Sequence, residues 1–579
     1  MSNRRTAAWL IRYALEQIGV RFTFGIPGVH NIELYDELGA SQTIEPVLVT
    51  HEMCGAFMAD AVSRTTGSIG VLAIVPAAGV THAMSGIGEA CLGGIPMLII
   101  AGGIRRDTGR RFQLHDVDHD RLLAELTKAR FQIREHAQVV PTIFEAYDAA
   151  ISGEPGPVFI EVPANLQLFP GEVGELPRYQ RKFSATMPLA NDIVRAAELL
   201  SAARKPGIFV GWGARHAIDY TRSIAERLAA PVATTLQGLT SFPSDHPLLT
   251  GMSFGRSASP AAENAFAECD ALLAVGVRFA EIATGSFGVR VPPNLVHIDI
   301  NRETLGANYP AAVAIHADAA AALEALDAAM QTRLSEERDS SALRSAIAAD
   351  KASYRQAWRD HDSGGRVNPI AFFDELARHL EPDALVVADD GNHTFLCAEL
   401  LHTSHDIQFI SPTDFNCMGY CVPAAIGAKV ASPERQVVGI VGDGAFLMSG
   451  MEVATASARG LSCVFVVFDD GELSQIAQAQ EIPYGRKTCV KVAHINLQAF
   501  ASAVGAAFVR VGSNADVAAG LTEAFTLSRA ARPVIVDVNI DYSKRTRFTT
   551  GTVKTNLERF TLRNKVRFMG RAVWRRVTA

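Results

Sequence analysis

The stretch VGDGAFLMSGMEVATASARGLSCVFVVFDDGE, residues 441–472, decides how this chain is read. An apolar run over residues 436–441 delivers Asp443 into a turn walled by Gly442 and Gly444, with Ala445 following. A helical segment comes next, then a second buried-strand pattern over residues 463–468 that stops at Asp469-Asp470. In a parallel β-α-β unit the carboxyl ends of neighbouring strands lie side by side, so Asp443 and Asp470 are expected to meet. Two hard oxygen ligands beside glycine N–H groups suit Mg²⁺ carrying a diphosphate. Taken alone, a G-D-G is more often an ordinary strand–turn–helix with an acidic helix start. The second acidic turn is what raises the metal reading above it.

The rest of the chain sets limits. Its 579 residues exceed one core, and length alone predicts about three or four domains. A composition of 48% hydrophobic and 20% charged residues is that of an ordinary globular protein. The net charge of −7 gives no reason to expect nucleic acid as a partner. Eight cysteines are scattered without a C-x-x-C pair, so no zinc site or disulfide framework is indicated, and a reducing, cytoplasmic compartment fits best. The N-terminus leads into an amphipathic helix pattern containing Glu16. Neither a signal peptide nor a membrane-spanning run of about 20 apolar residues is expected.

Upstream, residues 1–180 alternate helical and strand-like runs, the latter at 20–24, 46–49, 70–74, 97–101 and 158–162. That alternation predicts a parallel sheet with helices on both faces. The first strand enters a turn containing Gly25 and Gly28. Thr50-His51-Glu52 follows the second strand, where Glu52 opens a helix. A carboxylate there is most simply a helix N-terminal residue. A linker over 177–188 precedes a second α/β unit (188–330) with strand signals at 208–213, 231–235, 271–276 and 295–300. Residues 322–364 read as a helix followed by a connection. A third α/β unit (365–545) carries Asp389-Asp390-Gly391, then Asn392 and His393, and closes on a buried strand pattern at 533–538.

Taken together, Glu52 in H-E-x-x-G-A, G-D-G at 442–444 and the acidic pair at 469–470 resemble the thiamine-diphosphate enzymes of the acetolactate synthase and pyruvate oxidase kind. The resemblance covers all three units. It implies three open parallel-sheet domains: pyrimidine-binding, central Rossmann-like, and diphosphate-binding. It also implies that Glu52 exchanges a proton with the cofactor's aminopyrimidine ring, that Gly28 lies near the cofactor, and that Gln113 and His115 act near the substrate. His82, where relatives carry asparagine, is a further candidate proton donor. In the third domain Gly391, Asn392 and His393 would meet the diphosphate, the carbonyl of Asn416 the amino group, and Met418 would wedge the cofactor into its bent shape. Mg²⁺ would be held by Asp443, Asp470 and the main chain of Glu472. The acidic pair stands where relatives carry two asparagines, which adds negative charge beside a diphosphate.

The resemblance also predicts what varies. The resemblance leaves FAD, ADP or nothing bound in the middle domain; FAD, if bound, would lie near Gly211, Gly213 and Arg278, with Trp212 crowding that turn. Gln475 and Ala479 stand where branched-chain acetohydroxyacid synthases carry methionine and tryptophan. Since a methylene in an apolar pocket is worth about 1–3 kcal/mol, acceptor choice should differ from theirs. The implied reaction is decarboxylation of a 2-oxo acid followed by addition to an acceptor carbonyl. A flavin-dependent 2-oxo-acid oxidase, a 2-hydroxyacyl-CoA or oxalyl-CoA lyase, and a non-catalytic relative are the alternatives. The family arrangement implies at least a homodimer, with a homotetramer as the larger form, and Glu52 and Asp443 of one site on different chains. The tail, 546–579, is basic, and from Lys554 on it interleaves Arg559, Arg563, Lys565, Arg567, Arg571, Arg575 and Arg576 with apolar residues such as Phe560, Leu562, Val566 and Trp574. It reads as a segment packed over a subunit surface, or else as an amphipathic helix on an anionic membrane.

Overall fold

A computed structural model describes residues 4–181, 185–403, 406–564 and 567. Three six-stranded sheets form the frame, each wholly parallel. In the first the strands run in the order Glu45–Leu48, Phe22–Gly25, Gly70–Ile74, Met97–Gly103, Pro157–Pro163, Ala129–Gln132. The third runs Gln408–Ile410, Leu385–Ala388, Val437–Gly442, Cys463–Phe468, Val534–Val538, Ala507–Val511. Counted along the chain within each domain, both orders are 2-1-3-4-6-5, whereas the middle sheet is 3-2-1-4-5-6. Central strands such as Cys463–Phe468 are buried along their whole length, as helices on both faces require.

The first and third domains share one apolar core, in which Phe57 and Met58 meet Tyr420 and Ile426. Its centre is the crossing of helix Glu52–Thr65 with helix Cys421–Ala431. Gly427 is required there: a Cβ would come within 2.5 Å of the Met58 Cα. A buried polar cluster fixes the crossing. The Tyr420 hydroxyl and the Arg64 Nε each donate to Asp60 at 2.6 Å, and Glu89 accepts the Thr413 N–H at 3.0 Å. Burial pushes Glu89 up to about 7. A second link is the Thr50 hydroxyl, which donates to Glu452 at 2.5 Å. The two domains of one chain are therefore held face to face before any second copy is considered.

One sequence expectation needs correction. The connection after the middle domain is itself largely helical, Ser341–Arg359 following Ala319–Arg333. That second helix is mostly exposed, with only Ile347 and Trp358 buried. The tail begins as helix Arg547–Arg559, docked on the molecule's own surface: Phe548 stacks on Phe395 at 3.9 Å, Arg547 pairs with Glu263, and Ser286 donates to Asn556 at 3.0 Å. That matches a packed tail over 547–559. Lys565, Val566, Arg571, Arg575 and Arg576 lie outside the described residues. Among the described residues no helix is long and apolar enough to cross a membrane.

Candidate active site

One cavity of about 200 Å³ opens at the carboxyl ends of the third sheet. Its wall gathers Gly391, Asn392, His393, Asn416, Met418, Gly442, Asp443, Gly444, Ala445, Asp470, Glu472 and Gln475. Parallel strands Val437–Gly442 and Cys463–Phe468 pair in register and end level, which brings Asp443 and Asp470 to the same rim. Asp443 accepts the N–H of Gly444 at 2.7 Å and of Gly471 at 2.8 Å. Burial, and then Asp470, pushes Asp443 up to about 7; burial pushes Asp470 to about 6 despite a hydrogen bond from Ser474. Two facing carboxylates that cannot both ionise cheaply are what a divalent cation relieves. Asp469 lies 3.7 Å from Arg510 and does not line the cavity, although its charge adds to the upward push on Asp443. The Glu472 side chain is held by Lys487 at 2.5 Å.

The opposite wall depends on Asp389, which is fully buried at the end of strand Leu385–Ala388. It accepts N–H groups of Gly419 at 2.9 Å and Cys421 at 2.8 Å, tying the Asn416–Met418 turn to the sheet. Asn416 has φ +64°, in the left-handed region that favours glycine and that asparagine tolerates better than most residues. Its side chain bonds Asp390, which burial pushes up to about 6. His393 is buried, pushed down to about 3 by desolvation, and its Nε2 has no partner among the described residues. Two more buried polar atoms on this wall are unpaired there, Oε1 of Gln475 and the Tyr542 hydroxyl. A cavity ringed by unpaired polar atoms is built to be filled by a polar group. Ala479 is exposed and does not line it.

Glu52 is not in this cavity. It lies on the first domain, nearly buried, at the start of helix Glu52–Thr65, which is capped by the His51 ring accepting the Met53 N–H at 3.2 Å. His82 Nδ1 sits 3.0 Å from Glu52 Oε2, and the His51 and His82 rings stack at 4.7 Å. Gly79 packs beneath Glu52, where a Cβ would approach its Oε1 to 3.4 Å. Gln113 and His115 lie on the neighbouring irregular loop. Gln113 donates to the Arg105 carbonyl at 2.8 Å, and His115, at φ +66°, faces His30 at 5.0 Å. Gly28 donates its N–H to Asn31 at 2.7 Å. Glu52, His51 and His82 thus form one group on the first domain, and the third-domain residues form another.

The comparisons with known proteins agree with this division. The N-terminal TPP-binding domain of thiamine pyrophosphate enzymes matches residues 5–122, the central domain 193–326, and the C-terminal TPP-binding domain 389–538. A probable acetolactate synthase large subunit of Methanocaldococcus jannaschii is 32% identical over 82% of this chain and 82% of its own length. The acetolactate synthase large subunit of Corynebacterium glutamicum is 29% identical over 92% and 86%, and isozyme 1 of Escherichia coli is 28% identical over 94% and 95%. The chain belongs to the thiamine pyrophosphate enzyme family. Within it, the relatives place the chain in the acetolactate synthase family.

For a member of this family, the third-domain cavity fits a diphosphate and its cation: paired carboxylates, glycines at 442 and 444, and unpaired atoms of His393 and Tyr542. The middle domain gives FAD no such fit. Gly211, Gly213 and Arg278 are placed around a cavity of about 360 Å³, which Gly213 and Arg278 line. Yet a Cβ on Gly211 would strike the Gly276 carbonyl at 2.1 Å, and one on Gly213 would meet the Gly276 Cα at 2.9 Å, so these glycines serve the contact of two protein turns. Arg278 is engaged by Glu154 at 3.3 Å and Asp414 at 2.7 Å. No flavin step is assigned to this chain. Sequence reasoning passed over Asp390, Ser474 and Tyr542 as site residues. Asp390 was visible in the Asp-Asp-Gly turn, and the rule that sites form beyond strand carboxyl ends points to Tyr542 after the last strand.

Proposed function

We propose that this protein is a thiamine-diphosphate- and Mg²⁺-dependent enzyme that decarboxylates a 2-oxo acid and adds the remaining fragment to an acceptor carbonyl. The observation that carries it is the Asp443–Asp470 cavity with its unpaired His393, Gln475 and Tyr542 atoms, beside a separate glutamate-centred group on the first domain. Asp443, Asp470 and the main chain of Glu472 would hold Mg²⁺, and His393 with Asn392 would meet the diphosphate. Thiamine diphosphate, when bound, supplies the electron sink for cleavage next to the 2-oxo carbonyl. Glu52 would move a proton at its carboxyl group, with His82 as its hydrogen-bond partner. Gln475 lines the cavity and its carbonyl oxygen is buried without a partner, which favours an acceptor carrying a hydrogen-bond donor.

In this reading the working unit is at least a homodimer, Glu52 of one copy facing the Asp443 cavity of the other, with a tetramer as the larger form. Exposed apolar residues border both groups: Val29, Ile32 and Leu48 on the first domain, Leu447, Met448, Met451 and Ile476 on the third. Such patches mark interfaces. All eight cysteines are free, in keeping with a reducing, cytoplasmic setting. The test is a panel of 2-oxo acids and aldehydes with holoenzyme and product identification by mass spectrometry. A carboligated, decarboxylated product supports the reading; no turnover with any 2-oxo acid, despite bound cofactor, overturns it.

A further inference from the structure

A second cavity, of about 190 Å³, lies between the middle and third domains, away from the cavity described above. Its walls are the ends of strands Val232–Thr234 and Leu249–Met252, one face of helix Ser341–Arg359, and the far end of helix Asn392–Leu400. One side is apolar, with Leu249, Met252, Leu401 and Phe409. Lys351, His402 and Thr234 make the other side polar. Among the described residues Lys351 finds no hydrogen bond or ion pair, although it is half-buried; a desolvated ammonium without a partner is costly. Burial, and then the nearby Arg355, pushes it down to about 8. Thr234 is fully buried, and its hydroxyl is unpartnered.

The nearby acids do not answer these groups, because each has other partners. Glu399 is bound by the Tyr354 hydroxyl and by the N–H groups of Arg547 at 3.1 Å and Phe548 at 2.9 Å. Asp350 takes the Asn264 amide at 2.9 Å, and Arg355 is held by Asp374 and by the Leu400 carbonyl at 2.9 Å. What is left is an unpaired cation on a cavity with an apolar wall, and a buried hydroxyl without a partner among the lining residues. That combination recognises an anion with a short hydrocarbon body. The volume is below the range of about 300–1,000 Å³ that drug-sized ligands fill, which favours a small ligand over a whole nucleotide.

We propose that this cavity binds a small aliphatic monocarboxylate, its carboxylate on Lys351 and Thr234 and its hydrocarbon against Leu249, Met252 and Phe409. The helix that forms one wall begins with Asn392 and His393 of the third-domain cavity, so the ligand would sit at the far end of an element that reaches the reaction site. The proposal goes beyond the assigned reaction and does not rest on it.

The test uses 3-methylbutanoate, which lacks a 2-oxo group, titrated into holoenzyme by calorimetry. Reactivity of Lys351 toward an acylating reagent is followed in parallel by mass spectrometry. Binding should weaken by at least about tenfold in Lys351→Met, as loss of a charge-assisted hydrogen bond predicts, and severalfold in Thr234→Val. The neutral isostere 3-methylbutanamide should bind at least about tenfold more weakly than the acid, and the acid should protect Lys351 from acylation. Unchanged affinity in Lys351→Met, equal binding of the amide, or Lys351 labelling indifferent to the acid would each overturn the assignment. Should Lys351→Met fail to fold, Thr234→Val and the protection measurement decide the matter alone.

Discussion

The first and third domains are built on the same sheet, in the same strand order, and do different work. The difference lies in the residues directly after each strand. In the third domain, strands Leu385–Ala388, Val437–Gly442 and Cys463–Phe468 run into Asp389-Asp390, Asp443 and Asp469-Asp470. In the first, the matching strands Phe22–Gly25, Gly70–Ile74 and Met97–Gly103 run into residues without a carboxylate: Ile26-Pro27, Val75-Pro76-Ala77 and Ile104-Arg105. A buried acid at this edge is Glu52, after the second strand, where the third domain carries Asn416 and Met418 instead. In the proposed function these duplicate scaffolds would divide the labour between a cation and diphosphate seat and a proton-transfer group. Neither half is complete without the other.

The comparison can be broken at each half. The largest effect is expected at Glu52: Glu52→Gln should lower turnover by about 10²–10⁴, the usual reach of a general acid–base, while calorimetry finds cofactor affinity within a few fold of wild type. Turnover near wild type would remove Glu52 from the chemistry. Asp443→Asn should act the opposite way, lowering Mg²⁺ affinity, and diphosphate binding with it, by at least about tenfold in a titration. A smaller effect belongs to His82. Replacing it by phenylalanine removes the 3.0 Å contact with Glu52, and turnover should fall by about three- to tenfold, the scale of one ordinary hydrogen bond, with cofactor affinity unchanged.

The smallest effect is thermodynamic. Asp443 and Asp470 stand at about 7 and about 6, above the value near 4 of an unfolded aspartate, so between those pH values the folded protein binds more protons. With more protons on the folded state, stability of the metal-free protein declines as pH rises from about 4 to about 7. Mg²⁺ takes the place of those protons. Its stabilisation, read as a rise in melting temperature, should therefore be larger at pH 8 than at pH 5.5 by roughly a few degrees. An equal rise at both pH values would show that these two carboxylates are not the ligands.

Sequence legibility followed burial. The central strands were readable because a strand covered on both faces needs an unbroken apolar run, as in Cys463–Phe468. The strands that were missed, Ala129–Gln132, Leu249–Met252, Val313–His316, Gln408–Ile410 and Ala507–Val511, all stand at sheet edges. Several are short or partly exposed, so composition does not mark them. Site residues next to a glycine turn, such as Asp443 and Asn392, were readable from local pattern plus resemblance. Ser474 was not, because it reaches the cavity only through tertiary placement, and Tyr542 was marked only by its position after the last strand. The partner of Glu52, His82, was visible as a departure from the family pattern, but its contact depends on how helices Glu52–Thr65 and Ala78–Gly93 pack.

The most direct test of the divided site is complementation between inactive copies. Glu52→Gln and Asp443→Asn chains, separately tagged, are co-expressed, and the mixed oligomers are assayed. If Glu52 of one chain serves the cavity of the other, each mixed dimer holds one intact site, and random pairing should restore about a quarter of wild-type activity. If both residues of a site came from one chain, no intact site could form. The mixture would then stay as inactive as its parents.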